Sequence, residues 1–254
     1  MFEARLAGLA GRTALVTGGS RGIGAGIARA LAVQGANVMV CGRDRATLAR
    51  VVDEIRANGG DAESAVADVT DQDAVEALRL AAEARFGAVE LVVACAGGDG
   101  AQKPLREEDA ASWRRTLDAN LTSAFLTLKT FLPSMCDRGS GAVVTMASSA
   151  GRQLSGASAS YAAAKAGLLS LTRQAALEVA GQGVRVNAVA PSAIVTDRLA
   201  SQPPELRQAI ARGFPLKRLG TVDDVTAATL FLLSDAASWI TGATLDVAGG
   251  RVMI

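Results

Sequence analysis

The residues best suited to chemistry in this chain are a tyrosine and a lysine four positions apart, Tyr161 and Lys165. The stretch from Ser160 to Arg173 is rich in Ala and Leu and lacks Pro, which predicts a helix. On a helix, positions i and i+4 share one face, with Cβ atoms roughly 5–6 Å apart. A phenol ionises near roughly pH 10, and a nearby cation lowers its pKa. Such a pair can exchange a proton with a substrate oxygen near neutral pH.

The same spacing also arises by chance, and a Tyr and a Lys on an exposed helix need have no chemical role. Tyr161 is the only tyrosine of the chain. The choice between the two interpretations depends on the elements that surround this helix.

Length and composition limit the class of protein and its partners. The 254 residues suit one large α/β domain or two small ones. The net charge of +1 provides no general field for nucleic acid or an anionic membrane. No apolar run reaches membrane-spanning length. We therefore expect neither nucleic acid nor a membrane as a partner.

Two residue types narrow the chemistry and the compartment. The chain has no histidine, which excludes a Ser-His-Asp triad and any His-ligated metal site, and we expect no metal. Cys41, Cys95 and Cys136 are odd in number and form no CxxC pair. A reducing cytoplasm fits them better than a disulfide framework. The segment from Met1 to Ala7 has no long apolar stretch, so we expect no signal peptide.

A strand, a glycine-rich turn and a helix are predicted near the start of the chain. Arg12 to Thr17 is a short β-branched and apolar run, and Ala25 to Gln34 reads as helix. Between them, Gly18, Gly22 and Gly24 have the spacing T-G-x-x-x-G-x-G. Glycine lets the backbone approach a pyrophosphate, and a helix N-terminus offers free N–H groups. The pattern predicts a dinucleotide site; the alternative is a tight turn without a ligand.

The residues after the second strand bear on the choice between NADPH and NADH. This strand, Ala36 to Cys41, is followed closely by Arg43 and Asp44. An acidic residue there would bind the ribose hydroxyl of NAD, whereas Arg43 and Arg21 together suit a 2′-phosphate. Arginines without this role, and Asp44 as the discriminating acid, are the alternatives, although Asp44 fits better as a helix cap. We expect NADP(H) to be preferred, with NAD(H) still open.

The remaining elements alternate as strand and helix at βαβ spacing. Further strands are predicted at 62–67, 89–94, 141–147, 184–190 and 244–247. This alternation predicts an α/β protein, a Rossmann-type doubly wound parallel sheet of about seven strands with helices on both faces. We expect one domain over residues 1–254. Residues 191–219 contain Pro203-Pro204 and little strand pattern, so we expect a mobile loop with a short helix there.

Further polar residues lie near the carboxyl end of the predicted fifth strand, where open α/β sheets bind ligands. Ser148 follows this strand and precedes Tyr161 by thirteen residues, and Ser149 is the competing serine. Asn120 lies in the helix before the same strand. Ser148 is therefore placed where a ligand would bind, whereas Asn120, Ser148, Tyr161 and Lys165 form a candidate catalytic set only through a family resemblance.

These residues resemble the short-chain dehydrogenase/reductase family over essentially the whole chain. The resemblance lies in the turn from Thr17 to Gly24 and in the four candidate catalytic residues, which have the family's order and intervals. The similarity is greatest to bacterial 3-oxoacyl-acyl-carrier-protein reductases. It is carried by residues 120–125, 161–165, 184–191 and 240–247.

The resemblance implies a role for each residue. Tyr161 would be the acid/base, and Ser148 would hold the substrate carbonyl oxygen. Lys165 would bind the nicotinamide ribose and lower the pKa of Tyr161, and Asn120 would hold a water that links Lys165 to solvent. The thirteen-residue interval and Gly151 favour Ser148 over Ser149.

The resemblance also implies a set of cofactor-binding residues, in which Asp68 would meet the adenine. The set is Gly18, Ser20, Arg21, Gly22, Ile23, Gly24, Arg43, Asp68, Val69, Ala96, Gly97, Tyr161, Lys165, Pro191, Ile194 and Thr196. The loop at about 192–219, called the substrate loop below, would shape the substrate pocket.

Two positions depart from the family pattern. The usual Asn-Asn-Ala-Gly after the fourth strand is Ala-Cys-Ala-Gly here, with Cys95 in place of the second Asn. The usual Pro-Gly after the sixth strand is Pro-Ser, so Ser192 places a hydroxyl beside the expected nicotinamide position. Both departures bear on cofactor affinity and substrate identity.

The sequence therefore predicts an NADPH-dependent ketoreductase that transfers hydride between nicotinamide and a ketone or secondary alcohol. A carrier-bound 3-oxoacyl thioester is one candidate substrate and would require basic residues near the entrance. Arg138, Arg152, Arg173 and Arg207 are available, although solvated arginines without this role are the favoured interpretation. The alternative is a non-catalytic nucleotide-binding regulator on the same fold, which turnover of a diketone or an acetoacetyl thioester would exclude. Members of the family are often tetramers built through the helices that here contain Asn120 and Tyr161. Small residues on these helices would allow them to pack closely, so we expect a homotetramer.

Overall fold

The computed structural model describes residues 6–98, 100 and 102–253. The first five residues, on which part of the signal-peptide argument rests, lie outside this range. Within the described residues, parallel strands form one sheet in the order β3-β2-β1-β4-β5-β6-β7. The strands are β1 (Thr13–Thr17), β2 (Asn37–Gly42), β3 (Ala62–Val66), β4 (Val89–Ala94), β5 (Gly141–Met146), β6 (Val184–Pro191) and β7 (Thr244–Val247). The predicted parallel sheet is confirmed.

Helices connect the strands and cover both faces of the sheet. They are α1 (Gly22–Val33), α2 (Arg45–Ala57), α3 (Gln72–Phe86), α4 (Ala110–Leu117), α5 (Ser123–Arg138), α6 (Ala159–Val179), α7 (Asp197–Ala200), α8 (Pro204–Arg212) and α9 (Val222–Leu233). One π-helical turn, Asp118–Thr122, joins α4 to α5. No helix in the described part of the chain is long and apolar enough to cross a membrane.

Alternate residues of each strand enter two separate cores, because successive side chains of a strand point to opposite faces. In β1, Val16 belongs to the core that contains Ile27 of α1 and Leu230 of α9. The preceding residue, Leu15, belongs to the core that contains Phe131 of α5 and Leu168 of α6. The central strands β1, β2, β4, β5 and β6 are buried on both faces and are mainly apolar in the sequence, whereas the outer strands β3 and β7 are only partly buried and carry polar residues.

The prediction of one short helix in the substrate loop is wrong. The loop contains two helices, α7 and α8. The residue before a proline disfavours helical backbone, so Pro203-Pro204 separates the two helices, and a proline suits the first helical position, so Pro204 begins α8. A bridge between Ile194 and Gly220 closes the base of this loop.

The carboxyl ends of all the strands lie at one edge of the sheet, called the carboxyl edge below. Strand order reverses between β1 and β4, which is the place where such sheets bind ligands. The glycine turn after β1, the loop containing Cys95 after β4, Ser148 after β5 and Ser192 after β6 all leave strands at this edge. The fold thus brings together four segments that are far apart in sequence.

Candidate active site

The glycine turn needs its glycines for steric and backbone reasons. At Gly18 φ is +67°, and a Cβ would lie 2.9 Å from Ala96 Cα. At Gly22 φ is +54°, and a Cβ would lie 3.4 Å from Thr196 Cγ2. A Cβ at Gly24 would collide with the Gly18 carbonyl oxygen. The turn therefore packs closely against the β4 loop at Gly18, and it makes an ordinary contact with the substrate loop at Gly22, where the positive φ favours glycine.

Helix α1 begins within this turn and leaves its first N–H groups available. The residue before it, Arg21, makes no capping hydrogen bond with its side chain, and the first turn contains no acidic residue. Unpaired N–H groups and the partial positive charge of a helix N-terminus favour an anion. Tight glycines followed by such a helix fit the pyrophosphate of a dinucleotide.

The residues expected to select NADPH lie at the outer rim of this region. Arg21 and Arg43 are exposed, and their side chains make no hydrogen bond or ion pair with another described residue. Asp44 accepts a hydrogen bond from Thr47 N at 2.9 Å and caps α2, which confirms the capping interpretation. That hydrogen bond holds the pKa of Asp44 below its ordinary value. Asp44 is thus engaged in the helix start, and both guanidinium groups remain free for a phosphate.

Asp68, expected at the adenine, is held by its own turn. Its carboxylate accepts hydrogen bonds from Thr70 N at 3.0 Å and from Thr70 Oγ1 at 2.7 Å. These bonds lower the pKa of Asp68, and the nearby Arg43 contributes a smaller effect. Asp68 therefore lies within electrostatic range of Arg43, on the same side of the carboxyl edge.

The loop after β4 is fixed by hydrogen bonds from two directions. Thr17, the last residue of β1, accepts hydrogen bonds at Oγ1 from Cys95 N at 3.0 Å and from Ala96 N at 3.2 Å. Farther along, a Cβ at Gly97 would lie 2.5 Å from Asn120 Oδ1. The backbone of this loop is thus pressed against both the glycine turn and Asn120.

Asn120 is fully buried in the π-helical turn. Its Nδ2 donates to Gly98 O at 2.7 Å and to Thr116 O at 2.9 Å, and its Oδ1 accepts from Gly98 N at 3.2 Å. Single π turns inside helices often occur at functional sites. The sequence did not predict this turn or the bonds to Gly98; the family position of Asn120 was the only signal. Its expected water contact stays a prediction.

Lys165 is a buried lysine next to the tyrosine. It is 4% exposed, and its Nζ donates to Met146 O at 2.7 Å, at the end of β5. Its Nζ lies 5.6 Å from the centroid of the Tyr161 ring. Burial lowers the pKa of Lys165 to about 8, with a small opposing effect from the Cys95 thiol. Burial likewise raises the pKa of Cys95 to about 11.

Ser148 and Tyr161 occupy the starts of two neighbouring elements. Ser148 precedes a 3-10 turn, Ser149–Gly151, and its Oγ accepts a hydrogen bond from Ala150 N at 3.1 Å. A Cβ at Gly151 would lie 2.6 Å from the Lys165 carbonyl carbon, so this turn packs directly on α6. Tyr161 lies in the first turn of α6, which Ser158 caps. The structure thus brings all four candidate catalytic residues to the carboxyl edge.

The other expected cofactor residues follow the same edge. Ser20 and Ile23 belong to the glycine turn and the start of α1, and Val69 is buried after β3. Pro191 is the last residue of β6, and Ile194 is buried where it bridges to Gly220. Their positions agree with one extended cofactor site along this edge.

The basic residues expected at a carrier-protein entrance differ in their surroundings. Arg138 donates to Val89 O at 2.6 Å, and Arg152 pairs with Asp246 at 2.8 Å. These two arginines are engaged in the fold. Arg173 is exposed and Arg207 is partly buried.

The family model described as "Enoyl-(Acyl carrier protein) reductase" matches residues 18–251. The chain belongs to the short-chain dehydrogenase/reductase family. The resemblance inferred from the motifs is confirmed. As a member of this family, the protein is an oxidoreductase that uses NAD(P)(H) and acts on CH–OH and C=O groups.

Relatives in this short-chain dehydrogenase/reductase family are similar over nearly their whole length. The cis-4-hydroxycyclohexanecarboxylate dehydrogenase of Sinomonas cyclohexanicum is 43% identical, over 96% of this chain and 97% of that protein. A 3-oxoacyl-acyl-carrier-protein reductase of Staphylococcus aureus is 38% identical, over 95% and 98%. The crystal structure of levodione reductase superposes with a TM-score of 0.91 at 33% identity, over 95% and 98%. Their names cover different substrates, so family membership leaves the substrate open.

Proposed function

We propose that this protein is an NADPH-dependent ketoreductase that interconverts a ketone and a secondary alcohol. The observation that carries the proposal is the buried Lys165, bonded to Met146 O and 5.6 Å from the ring of the only tyrosine. Burying a lysine away from water is unfavourable, and this one has no carboxylate partner among the described residues. Ionisable side chains whose pKa is strongly shifted by burial are frequent at functional sites.

Each residue of the set has a distinct task in this proposal. Tyr161 Oη gives its proton to the substrate oxygen during reduction and takes it back during oxidation. Lys165, cationic below about pH 8, favours the phenolate that remains. Ser148 accepts at Oγ from Ala150 N, which leaves its own O–H for the substrate oxygen. Asn120 would position a water between Lys165 and solvent while it fixes the loop at Gly98.

NADPH supplies the hydride when bound. The glycine turn and the N-terminus of α1 would hold its pyrophosphate, and Arg21 and Arg43 would hold the 2′-phosphate. Support for the phosphate comes from their exposure and lack of other partners among the described residues. The lack of an available acid at this position, with Asp44 used as a helix cap, favours NADPH over NADH.

Two substrate classes follow from the relatives. The 43% identity to a hydroxycyclohexanecarboxylate dehydrogenase supports a ring ketone that bears a carboxylate. The 38% identity to an acyl-carrier-protein reductase supports a 3-oxoacyl thioester. Arg138 and Arg152 are engaged within the fold, which removes two of the basic residues that a carrier protein would use. We therefore place the small cyclic keto acid first.

A screen of NADPH and NADH oxidation tests the proposal. It should include 4-oxocyclohexanecarboxylate, its neutral methyl ester, a generic diketone and an acetoacetyl thioester. We expect turnover with at least one ketone and a preference for NADPH. Tight cofactor binding without turnover of any compound would instead support the nucleotide-binding regulator.

We also propose a cytoplasmic homotetramer of single-domain chains, in which residues 192–219 form the substrate loop. The outer faces of α5 and α6 support the assembly. Phe125 is 45% and Leu177 is 77% exposed, and the small residues Ala163 and Ala166 are exposed on α6. Small residues allow helices of two subunits to approach closely. Light scattering at micromolar protein should give four times the chain mass, and a monomer mass would contradict this assembly.

A further inference from the structure

Two hydroxyl groups link the turn that presents Ser148 to the base of the substrate loop. This turn, Ser149–Gly151, is called the serine turn below. Ser149 Oγ donates to Ser192 Oγ at 3.0 Å. Ser149 is 7% exposed and follows Ser148 directly. Ser192 is the first residue after β6, and its backbone N–H donates to Val247 O at 3.2 Å. The two serines therefore connect two segments that are 43 residues apart in sequence.

The same turn has a second tie to the end of the sheet. Arg152 Nε donates to Asp246 Oδ1 at 3.2 Å, and Arg152 Nη2 donates to Asp246 Oδ2 at 2.8 Å. Both side chains are 18% exposed, and such a two-point pair fixes orientation as well as distance. On its other side the turn packs at Gly151 against the Lys165 backbone. The turn that presents Ser148 is thus held between α6 and the ends of β6 and β7.

Ser192 is the position in this arrangement where the substrate loop begins. The Ile194–Gly220 bridge lies only two residues farther on. A glycine at 192, the usual family residue, has no hydroxyl and would leave Ser149 Oγ without this acceptor. The serine therefore adds a direct bond between loop and turn.

We infer that Ser192 is a positioning residue that, through Ser149, fixes the turn presenting Ser148 and ties it to the base of the substrate loop. The inference rests on the proposed function. It predicts that the hydroxyls of Ser149 and Ser192 act as one unit, because each serves the reaction only through the other.

The test is a double-mutant cycle on ketone reduction with Ser149→Ala, Ser192→Ala and the double variant. A lost hydrogen bond of this kind corresponds to about a three- to tenfold decrease, which we expect in kcat for either single variant. The double variant should be no slower than the singles, since residues in one network are not additive. KM for the ketone and Kd for NADPH should change less than kcat. Ser192→Thr, which keeps the hydroxyl, should restore most of the rate.

The chain offers a matched control pair. Thr145 of β5 and Thr172 of α6 are buried and share a hydroxyl–hydroxyl bond of 2.7 Å. Thr145→Val should lower Tm and leave kcat unchanged, because neither threonine is hydrogen-bonded to the serine turn in the described part of the chain. Multiplicative losses in the serine cycle, or an unchanged kcat in Ser192→Ala, would overturn the inference.

Amide hydrogen exchange gives a readout that needs no turnover. The N–H groups of Ala150 and Gly151 are hydrogen-bonded within the turn. Their exchange should be faster in Ser192→Ala and unchanged in Thr145→Val. Equal exchange in Ser192→Ala and the unmodified protein would overturn the inference even if the ketone screen fails. Faster exchange with no turnover of any ketone would support the coupling and defeat only the proposed function.

Discussion

The two halves of the carboxyl edge differ in which part of the chain forms the site. On the β1–β3 side, the site consists of backbone at Gly18 and Gly22 and of the exposed side chain of Arg43. On the β4–β6 side, the candidate site includes two almost completely buried side chains, Asn120 and Lys165, each bonded to backbone carbonyl groups. The first half leaves N–H groups and positive charge in contact with water, whereas the second removes charge and amide groups from it.

Because of this difference, the two halves contribute differently to the free energy of folding and to cofactor binding. An exposed arginine is solvated and costs little folding free energy when no ligand is bound. The cofactor half, on the β1–β3 side, is therefore not destabilised when its phosphate is absent. A buried lysine destabilises the folded chain until something compensates its charge. Changes in the catalytic half should therefore affect both rate and stability, while changes in the cofactor half should affect mainly binding.

The largest expected effect comes from Tyr161→Phe, which removes only the hydroxyl. Reduction of the best ketone should fall by about 10²–10⁴-fold, the usual contribution of a positioned acid. Kd for NADPH, measured by fluorescence, should stay the same because Lys165 and the glycine turn remain. Near-normal ketone reduction by this variant would show that the proposed mechanism is wrong.

The second prediction concerns the pH dependence of folding. The pKa of Lys165 is about 8 in the folded protein and 10.5 ordinarily, so the unfolded chain binds more protons between these values. The free energy of unfolding should therefore rise with pH across that window and carry the full penalty below it. The penalty corresponds to about 3 kcal/mol. Lys165→Met should remove it, partly offset by the lost bond to Met146 O.

Urea denaturation of the cofactor-free protein at pH 7 and pH 10 measures this effect. Lys165→Met should be more stable than the unmodified protein at pH 7, and the difference should shrink at pH 10. Lys129→Met, at an exposed lysine of α5, is the matched control and should show neither change. A Lys165→Met variant that is less stable at both pH values would contradict the buried-charge argument.

The third prediction tests the cofactor half through Arg43→Asp. A hydrogen bond to a charged group contributes about 1.5–3 kcal/mol, so the ratio of kcat/KM for NADPH over NADH should fall about tenfold or more. Stability in urea should change little, since the exposed Arg43 side chain makes no hydrogen bond or ion pair with a described residue and has only a small electrostatic effect on Asp68. Arg50→Asp makes the same charge change on an exposed part of α2 and should leave the ratio intact. Equal use of both cofactors by the unmodified protein would refute the assignment.

The smallest expected effect separates backbone strain from cofactor contact. Gly22 and Gly59 both have positive φ, +54° and +79°, and only Gly22 lies near another segment. Replacing either by Ala should lower the free energy of unfolding by about 1–2 kcal/mol. Only Gly22→Ala should also weaken NADPH binding. Equal Kd values for the two variants would show that the glycine turn does not contact the cofactor.

The sequence predicted the strands well because both faces of the sheet are buried. Each strand in the structure begins and ends within one residue of its prediction. The pairing of Tyr161 with Lys165 was readable from the i, i+4 spacing of a helix, whereas the choice of Ser148 rested on the family's thirteen-residue interval. The capping role of Asp44 was also readable, since a cap is a local hydrogen bond.

Features that depend on distant contacts were not predictable. The π turn at Asn120 shifts hydrogen bonds without changing the apolar pattern of the helix. The bond between Ser149 and Ser192 joins separate strands' ends, and neither residue alone signals it. The lowered pKa of Lys165 follows from its burial in the folded protein rather than from its neighbours in sequence. Long-range packing decides all three.

The bridge between Ile194 and Gly220 has a consequence for how this protein can change over time. Two backbone bonds, Val195 N to Gly220 O at 2.8 Å and Gly220 N to Ala193 O at 3.0 Å, close the loop at its base. Doubling the length of a closed flexible loop costs only about 0.6 kcal/mol in chain entropy. Insertions and deletions between these two points can therefore accumulate with little thermodynamic penalty, while the serine turn and the lysine below keep their positions. Under the proposed function, such changes would alter substrate preference while the candidate catalytic residues stay in place.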